Sequence, residues 1–283
     1  MCRFCHVSRA GYYVWARRCD QVSIEDLGIA FLIRRLQLEN DFTLGAKTVS
    51  KYLKIENGLI VNHKHCLRIM RDYGLLSHVK RRKVKTASHP EEYPKDNIIR
   101  GNHLCSVPFD KMYTDITEFH IHGKKVYFSS IKDMHTKMIE AYEISYHPTL
   151  ELVLKTFNQV RDKAIRYGTF IHSDHGYQYT NRLFQEKLVE FNFIQSMSRK
   201  GRPTDNAPIE SLHSILKSEV IYNDTLHIKT DVELIDALHR FVVRYNTKRR
   251  QKALGYMTPL EFKEKEMKRI SSLEPDLFYT VHF

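Results

Sequence analysis

The chain has 283 residues, of which 42% are hydrophobic and 28% charged. That length suits a catalytic domain with one accessory domain, the composition excludes wholesale disorder, and no stretch approaches the ~18 apolar residues of a membrane span. The formal net charge is +12, with +9 in residues 1–100 and +3 in the remainder. A basic first third is the electrostatic footprint of a polyanionic partner, because each phosphate contact releases condensed counterions.

The opening MCRFCHVSRAGYYVWARR is basic but lacks the apolar block of a secretory signal, so a soluble intracellular protein is expected. Five cysteines, at positions 2, 5, 19, 66 and 105, are odd in number and scattered, which argues against a disulfide framework. Cys2-Arg3-Phe4-Cys5-His6 matches the C-x-x-C-H pattern of covalent haem attachment, a chemistry that follows export. A zinc site on Cys2 and Cys5 would need a second ligand pair, which Cys19 alone does not supply. No metal or haem is assigned there.

In chain order, Ser23-Ile24-Glu25-Asp26 opens a helix with an S-x-x-D capping pattern, and Ile24, Leu27 and Phe31 recur at helical spacing. A second helix is predicted over 46–56, with Val49, Tyr52 and Leu53 on one face and Gly58 past its end. A third begins at Asn62, a good N-cap, places Cys66, Ile69, Met70 and Tyr73 on one face, and stops at Gly74. Its opposite face carries His63, Lys64, Arg68 and Arg71. Helix, short turn and a helix with a basic outer face is the layout of a helix-turn-helix, so residues 1–79 read as a DNA-binding domain. Lys80-Arg81-Arg82-Lys83-Val84-Lys85, followed by Pro90 and Pro94, marks an extended linker over 80–108. Lys80, Arg81, Arg82 and Lys83 are candidate DNA-backbone contacts.

The rest reads as α/β. Residues 112–119, 125–131 and 138–145 are predicted strands, with a turn at His122-Gly123-Lys124. A helix over 150–167, a strand over 169–172, a helix over 181–191 and a strand over 193–197 follow. Asp205-Asn206-Ala207-Pro208 is a strong helix start, and that helix buries Ile209, Leu212, Leu216 and Val220.

Three carboxylates stand out. Asp115 lies within a predicted buried strand, where an acid is costly unless paired, hydrogen-bonded or bound to metal. Asp174 lies at the C-terminal end of another strand, where α/β sheets place ligands. Glu210 projects from the first turn of the last helix. His172 and His175 flank Asp174 without a second ligand pair, so they read as supporting or DNA-facing groups. His120 and His122 read as solvated, and Cys66 as packed in its helix.

Asp174 and Glu210 are separated by 35 residues, and this D-x35-E spacing with an upstream strand aspartate resembles the DDE transposases and retroviral integrases. The surrounding words narrow the resemblance: SRAGYYVWARR (8–18), VNHKHCLRIMRDYGL (61–75), YTDITEF (113–119), HSDHGYQYT (172–180), SMSRKGRPTDNAPIESLHSILKSE (196–219) and YNTKRRQKALGYMTPLEF (245–262). In this order they resemble the second reading frame, OrfB, of the insertion-sequence-three family. Met112 stands where that family usually has Trp, and His175 where it often has Gln.

The resemblance implies an RNase H-like integrase core over 109–265, a five-stranded mixed sheet with helices, and a tail over 266–283. It implies Asp115, Asp174 and Glu210 as the catalytic and metal-binding set, with two Mg²⁺ ions for which Mn²⁺ can substitute: Asp115 bridging, Asp174 on one ion and Glu210 on the other. The implied reaction is water-mediated release of a 3′-OH at the element's end, then attack of that 3′-OH on another phosphodiester, first at the element's other end to give a circle. Lys217, two turns after Glu210, and Arg199, Lys200 and Arg202 are the implied DNA contacts. The partners would be double-stranded DNA (terminal repeats and target), further copies in a synaptic complex, and an OrfA fusion or partner, in a bacterial cytoplasm at the nucleoid. Two rivals are a nuclease of the same fold that does not join DNA and a non-catalytic DNA-binding regulator.

Overall fold

The computed structural model describes residues 7–19, 23–79, 97–99, 104–199, 203–223 and 226–273. They divide into two compact units, Met1–Val79 and Lys80–Phe283. Cys2, Cys5, Lys80, Arg81, Arg82, Lys83, Pro90, Pro94, Lys200, Arg202 and the tail beyond 273 lie outside the described residues.

The first unit is helical: α1 (Arg9–Cys19), α2 (Ile24–Glu39), α3 (Ala46–Asn57) and α4 (His63–Asp72). Ser23 caps α2 by accepting the Asp26 amide, Asn62 caps α4 by accepting the Lys64 amide, and Gly58 and Gly74 take the left-handed conformation that ends α3 and follows α4. Ile33, Leu36, Val49, Leu53, Cys66, Ile69 and Met70 form the core. The face of α2 differs from expectation. Ile24 and Phe31 are 87% and 70% exposed, and the buried residues are Ile29, Ala30, Ile33, Leu36 and Gln37. The helix carries two apolar stripes, and α3 and α4 cover the one anchored by Gln37, whose amide bonds the Leu44 and Leu75 carbonyls. α1 was not anticipated from the sequence.

In the second unit β1 (Lys111–Ile121), β2 (Lys124–Asp133) and β3 (Ile139–Ser145) form an antiparallel meander. His122 and Gly123, both at positive φ, make the tight β1–β2 turn. After α5 (Leu150–Asn158), β4 (Thr169–Ser173) pairs parallel with β1; after α6 (Tyr177–Thr180) and α7 (Arg182–Glu190), β5 (Phe193–Met197) pairs parallel with β4. The order β3-β2-β1-β4-β5, with three antiparallel and two parallel strands, is that of the RNase H-like integrase core. α8 (Ala207–Val220), α9 (Asp231–Thr247) and α10 (Pro259–Leu273) follow. One face of the sheet packs Met112, Ile131 and Ile171 against α5, α7 and α10; the other packs Tyr113, Phe119 and Phe128 against α8 and α9.

α5 stops nine residues before its expected end. The Ile165 amide donates to Thr169 Oγ1 instead of a helical carbonyl, and Gly168, at φ +91°, swings the chain into β4. Among the described residues no helix is long and apolar enough to cross a membrane.

Candidate active site

Strand alternation sets which side chains meet. On β1, Asp115 shares the parity of Tyr113 and Phe119, the face that α8 covers. Tyr113 pairs with His172 across the parallel β1–β4 contact, and two residues further along each segment stand Asp115 and Asp174. Glu210 enters from above, in the first turn of α8, three residues into a helix whose stripe Ile209, Leu212, Leu216 and Val220 is buried on the sheet. The three acids therefore come from a strand, the end of a neighbouring parallel strand and a helix start.

Their electrostatics agree with that placement. Burial pushes the Asp174 carboxyl above the usual aspartate range; the Gly176 amide, 2.9 Å from its Oδ1, opposes the shift, and the charge of Asp115 adds to it. The Glu210 carboxyl is raised by partial desolvation and then by the charges of Asp115 and Asp174. No described lysine or arginine forms an ion pair with any of the three acids. Gly176 lets the chain turn tightly under Asp174, since a Cβ there would sit 3.0 Å from Asp174 Oδ1. Among the described residues, no group of three His, Cys, Asp or Glu side chains is placed to hold one metal ion.

Residues that sequence reasoning missed surround this set. Ser130 lies directly opposite Asp115 in the β1–β2 ladder, and His213 of α8 sits over the pair, its Nε2 3.0 Å from Ser130 Oγ and its Nδ1 3.4 Å from Asp115 Oδ2. The signal was present: His213 is four residues after Ile209 and three before Leu216, on the buried stripe. Two residues along β2, the buried Lys132 donates to the Pro208 carbonyl at 3.1 Å, tying the sheet to the first turn of α8. Burial, with Lys137 and Arg249 nearby, pushes its ammonium down to about 8. His175 Nε2 and Asn206 Oδ1 are buried with no hydrogen-bond partner among the described residues; they stand one residue after Asp174 and four before Glu210.

The expected DNA contacts are dispersed. Lys217 holds its ammonium 5.7 Å over the Phe119 ring. Arg199 is engaged within the protein: its backbone amide, Nε and Nη2 all donate to Asp205, which also accepts from Asn97. The Arg199 guanidinium leads in holding the Asp205 carboxyl down to about 2. In the first unit His63, Lys64, Arg68 and Arg71 are all exposed on α4, with Arg68 bonded to Asp26 at 2.8 Å.

Comparison with known proteins gives a consistent assignment. Residues 106–203 and 193–259 each match a family model described as an integrase core domain, and residues 25–83 match an HTH-like domain. The chain is 31% identical over 232 residues to the InsK protein of insertion sequence element IS150 from Escherichia coli, covering 82% of this chain and 81% of that protein. It is 28% identical over 251 residues to the transposase for insertion sequence element IS904 of Lactococcus lactis, covering 88% and 98%. It is 25% identical over 278 residues to transposase InsF for insertion sequence IS3A of Escherichia coli, covering 94% of each.

Proposed function

The chain belongs to the transposases of the insertion-sequence-three family, and from that premise we propose that Asp115, Asp174 and Glu210 are the residues with which it cuts and joins the DNA of its element. The observation that carries this is a charge imbalance: three acids share one site, burial first and their mutual charge second raise two of them, and no described lysine or arginine pairs with any of the three. Gathering like charges around a partly desolvated site is unfavourable unless a cation completes it.

The donor set fits Mg²⁺, a hard cation that prefers carboxylate oxygen and retains positions for water and phosphate. Two ions need only two carboxylates each, with Asp115 shared, Asp174 completing one pair and Glu210 the other. That arrangement does not require three side chains around one ion. When bound, a pair of divalent ions activates the attacking oxygen and neutralises charge on the departing one. The protein's own residues do the positioning. The Gly176 amide holds one oxygen of Asp174 and leaves the other for a cation. Lys132 anchors the turn that carries Glu210. Lys217, on the Glu210 side of α8, supplies a cation for the terminal DNA, while α4 with His63, Lys64, Arg68 and Arg71 contacts duplex DNA. Lys80, Arg81, Arg82, Lys83, Lys200 and Arg202 are further proposed phosphate contacts. The domain plan follows: 1–79 for docking, 80–108 as linker, 109–265 for catalysis and 266–283 as tail. Two ends must meet, so at least two copies act together on DNA, with OrfA as fusion or partner.

The test is a strand-transfer assay in Mg²⁺ on the DNA ends that flank the gene, with Asp174→Asn beside wild type. Joined product should fall by on the order of 10³-fold or more while DNA binding persists. Joining that survives the substitution would remove Asp174 from the chemistry.

A further inference from the structure

A histidine between a serine and an aspartate invites a nucleophilic reading, and here it does not hold. Ser130 is wholly buried on β2, so no substrate atom reaches its hydroxyl. The same geometry does something else. Asp115 and Ser130 are cross-strand partners whose side chains rise from the sheet on one face, and His213 is the α8 residue that lands on both. Asp115 Oδ1 already accepts the Ile116 amide at 2.8 Å, so its second oxygen is the one whose direction remains to be set.

We propose that His213, oriented by Ser130, is a positioning residue that holds Asp115 Oδ2 in the direction from which it binds the catalytic cations. This rests on the assignment of Asp115 as a cation ligand. Carboxylate ligands are held by polar groups packed outside the metal as a rule, here His213 Nδ1 at 3.4 Å, and losing such a group weakens metal affinity by about 10–100-fold. A carboxylate oxygen only accepts, so a ring hydrogen on the Asp115 side is what can steer Oδ2, while the other nitrogen meets the Ser130 hydroxyl at 3.0 Å. The buried ring packs T-shaped against Phe128. α8 thereby contributes twice: Glu210 as a ligand from its first turn, and, three residues later, the group that aims the ligand on β1.

The experiment uses the full chain with His213→Asn, His213→Phe and Ser130→Ala. Asn keeps an N–H donor on the Asp115 side, Phe keeps the ring volume without it, and Ser130→Ala removes the orienting hydroxyl while barely touching packing. Three readouts are compared: Mn²⁺ binding by calorimetry, the Mg²⁺ concentration giving half-maximal strand transfer, and DNA binding. His213→Phe should weaken Mn²⁺ binding and raise the half-maximal Mg²⁺ by about 10–100-fold with DNA affinity unchanged, and His213→Asn should recover most of that loss. Ser130→Ala should shift both in the same direction by a smaller factor, and it decides the matter if His213→Phe fails to fold. Folded variants with unchanged Mn²⁺ affinity would overturn the proposal. If wild type itself shows neither Mn²⁺ binding nor a Mg²⁺ requirement, the cation assignment of Asp115 fails, and the proposal falls with it.

Discussion

Glu140 and Glu219 are buried acids balanced by cations, whereas Asp115, Asp174 and Glu210 are acids gathered with no lysine or arginine paired to them among the described residues. The Glu140 side chain is 1% exposed and held by Lys163 and Lys263; that of Glu219 is 6% exposed and held by Arg244 and Arg249. Asp205 follows the same rule with Arg199. Asp133, fully buried, is balanced by hydrogen bonds, accepting from the Phe109 amide and from the Thr136 amide and hydroxyl. The buried acids are thus paired, while the half-buried Asp115 and Asp174 and the exposed Glu210 stand without a described lysine or arginine partner. The difference is the one expected of the proposed cation site, since repulsion among unpaired acids lowers stability with no structural return.

The comparison can be broken first at its balanced end. Glu219→Gln leaves Arg244 and Arg249 half-buried without their acid, and the expected loss is about 3–5 kcal/mol. The thermal midpoint should then drop by roughly 6–20 °C for a unit of this size; a change under a degree would show that the buried pair contributes nothing. A smaller effect separates two roles for Arg199. If its guanidinium serves Asp205, Asp205→Ala should destabilise by about 1–3 kcal/mol through the groups left unpaired. Arg199→Ala should then leave the salt dependence of DNA binding as it was; a phosphate contact would reduce that slope by about one. The smallest effect concerns pH. Asp174 and Glu210 titrate above their unfolded values, so the folded chain holds their protons more tightly and metal-free stability from these groups rises as pH falls toward the raised values. Protons and cations then compete, and the rise in thermal midpoint caused by Mg²⁺ should shrink as pH falls through those raised values. A Mg²⁺ effect independent of pH would place the ion elsewhere.

Much of this was legible beforehand because it is local. β5 at Phe193–Met197 was expected residue for residue, and α4, with Asn62 at its start and Gly74 after it, shows both of its ends in the sequence. The three acids stood out through spacing and through the family words around them. What escaped depends on long-range packing. Ile24 and Phe31 have helical spacing, yet α3 and α4 cover the other stripe of α2. α9 carries a capping box at Thr230 and Glu233 that went unread. Arg199 looked like a phosphate contact because a basic loop gives no sign that a buried aspartate six residues on will claim it. His213 lay in plain view on a buried stripe, but its meaning comes from the register that sets Ser130 opposite Asp115.

The central claim is that the acid cluster is destabilising by itself and is completed by a cation. Thermal unfolding of wild type and Asp174→Asn, each with and without Mg²⁺, tests it most directly. Without metal the variant should be the more stable protein, by about 0.5–2 kcal/mol, because it loses a repelled and desolvated charge. With Mg²⁺ wild type should gain and the variant should not. A variant less stable than wild type without metal, and stabilised equally by Mg²⁺, would contradict the account.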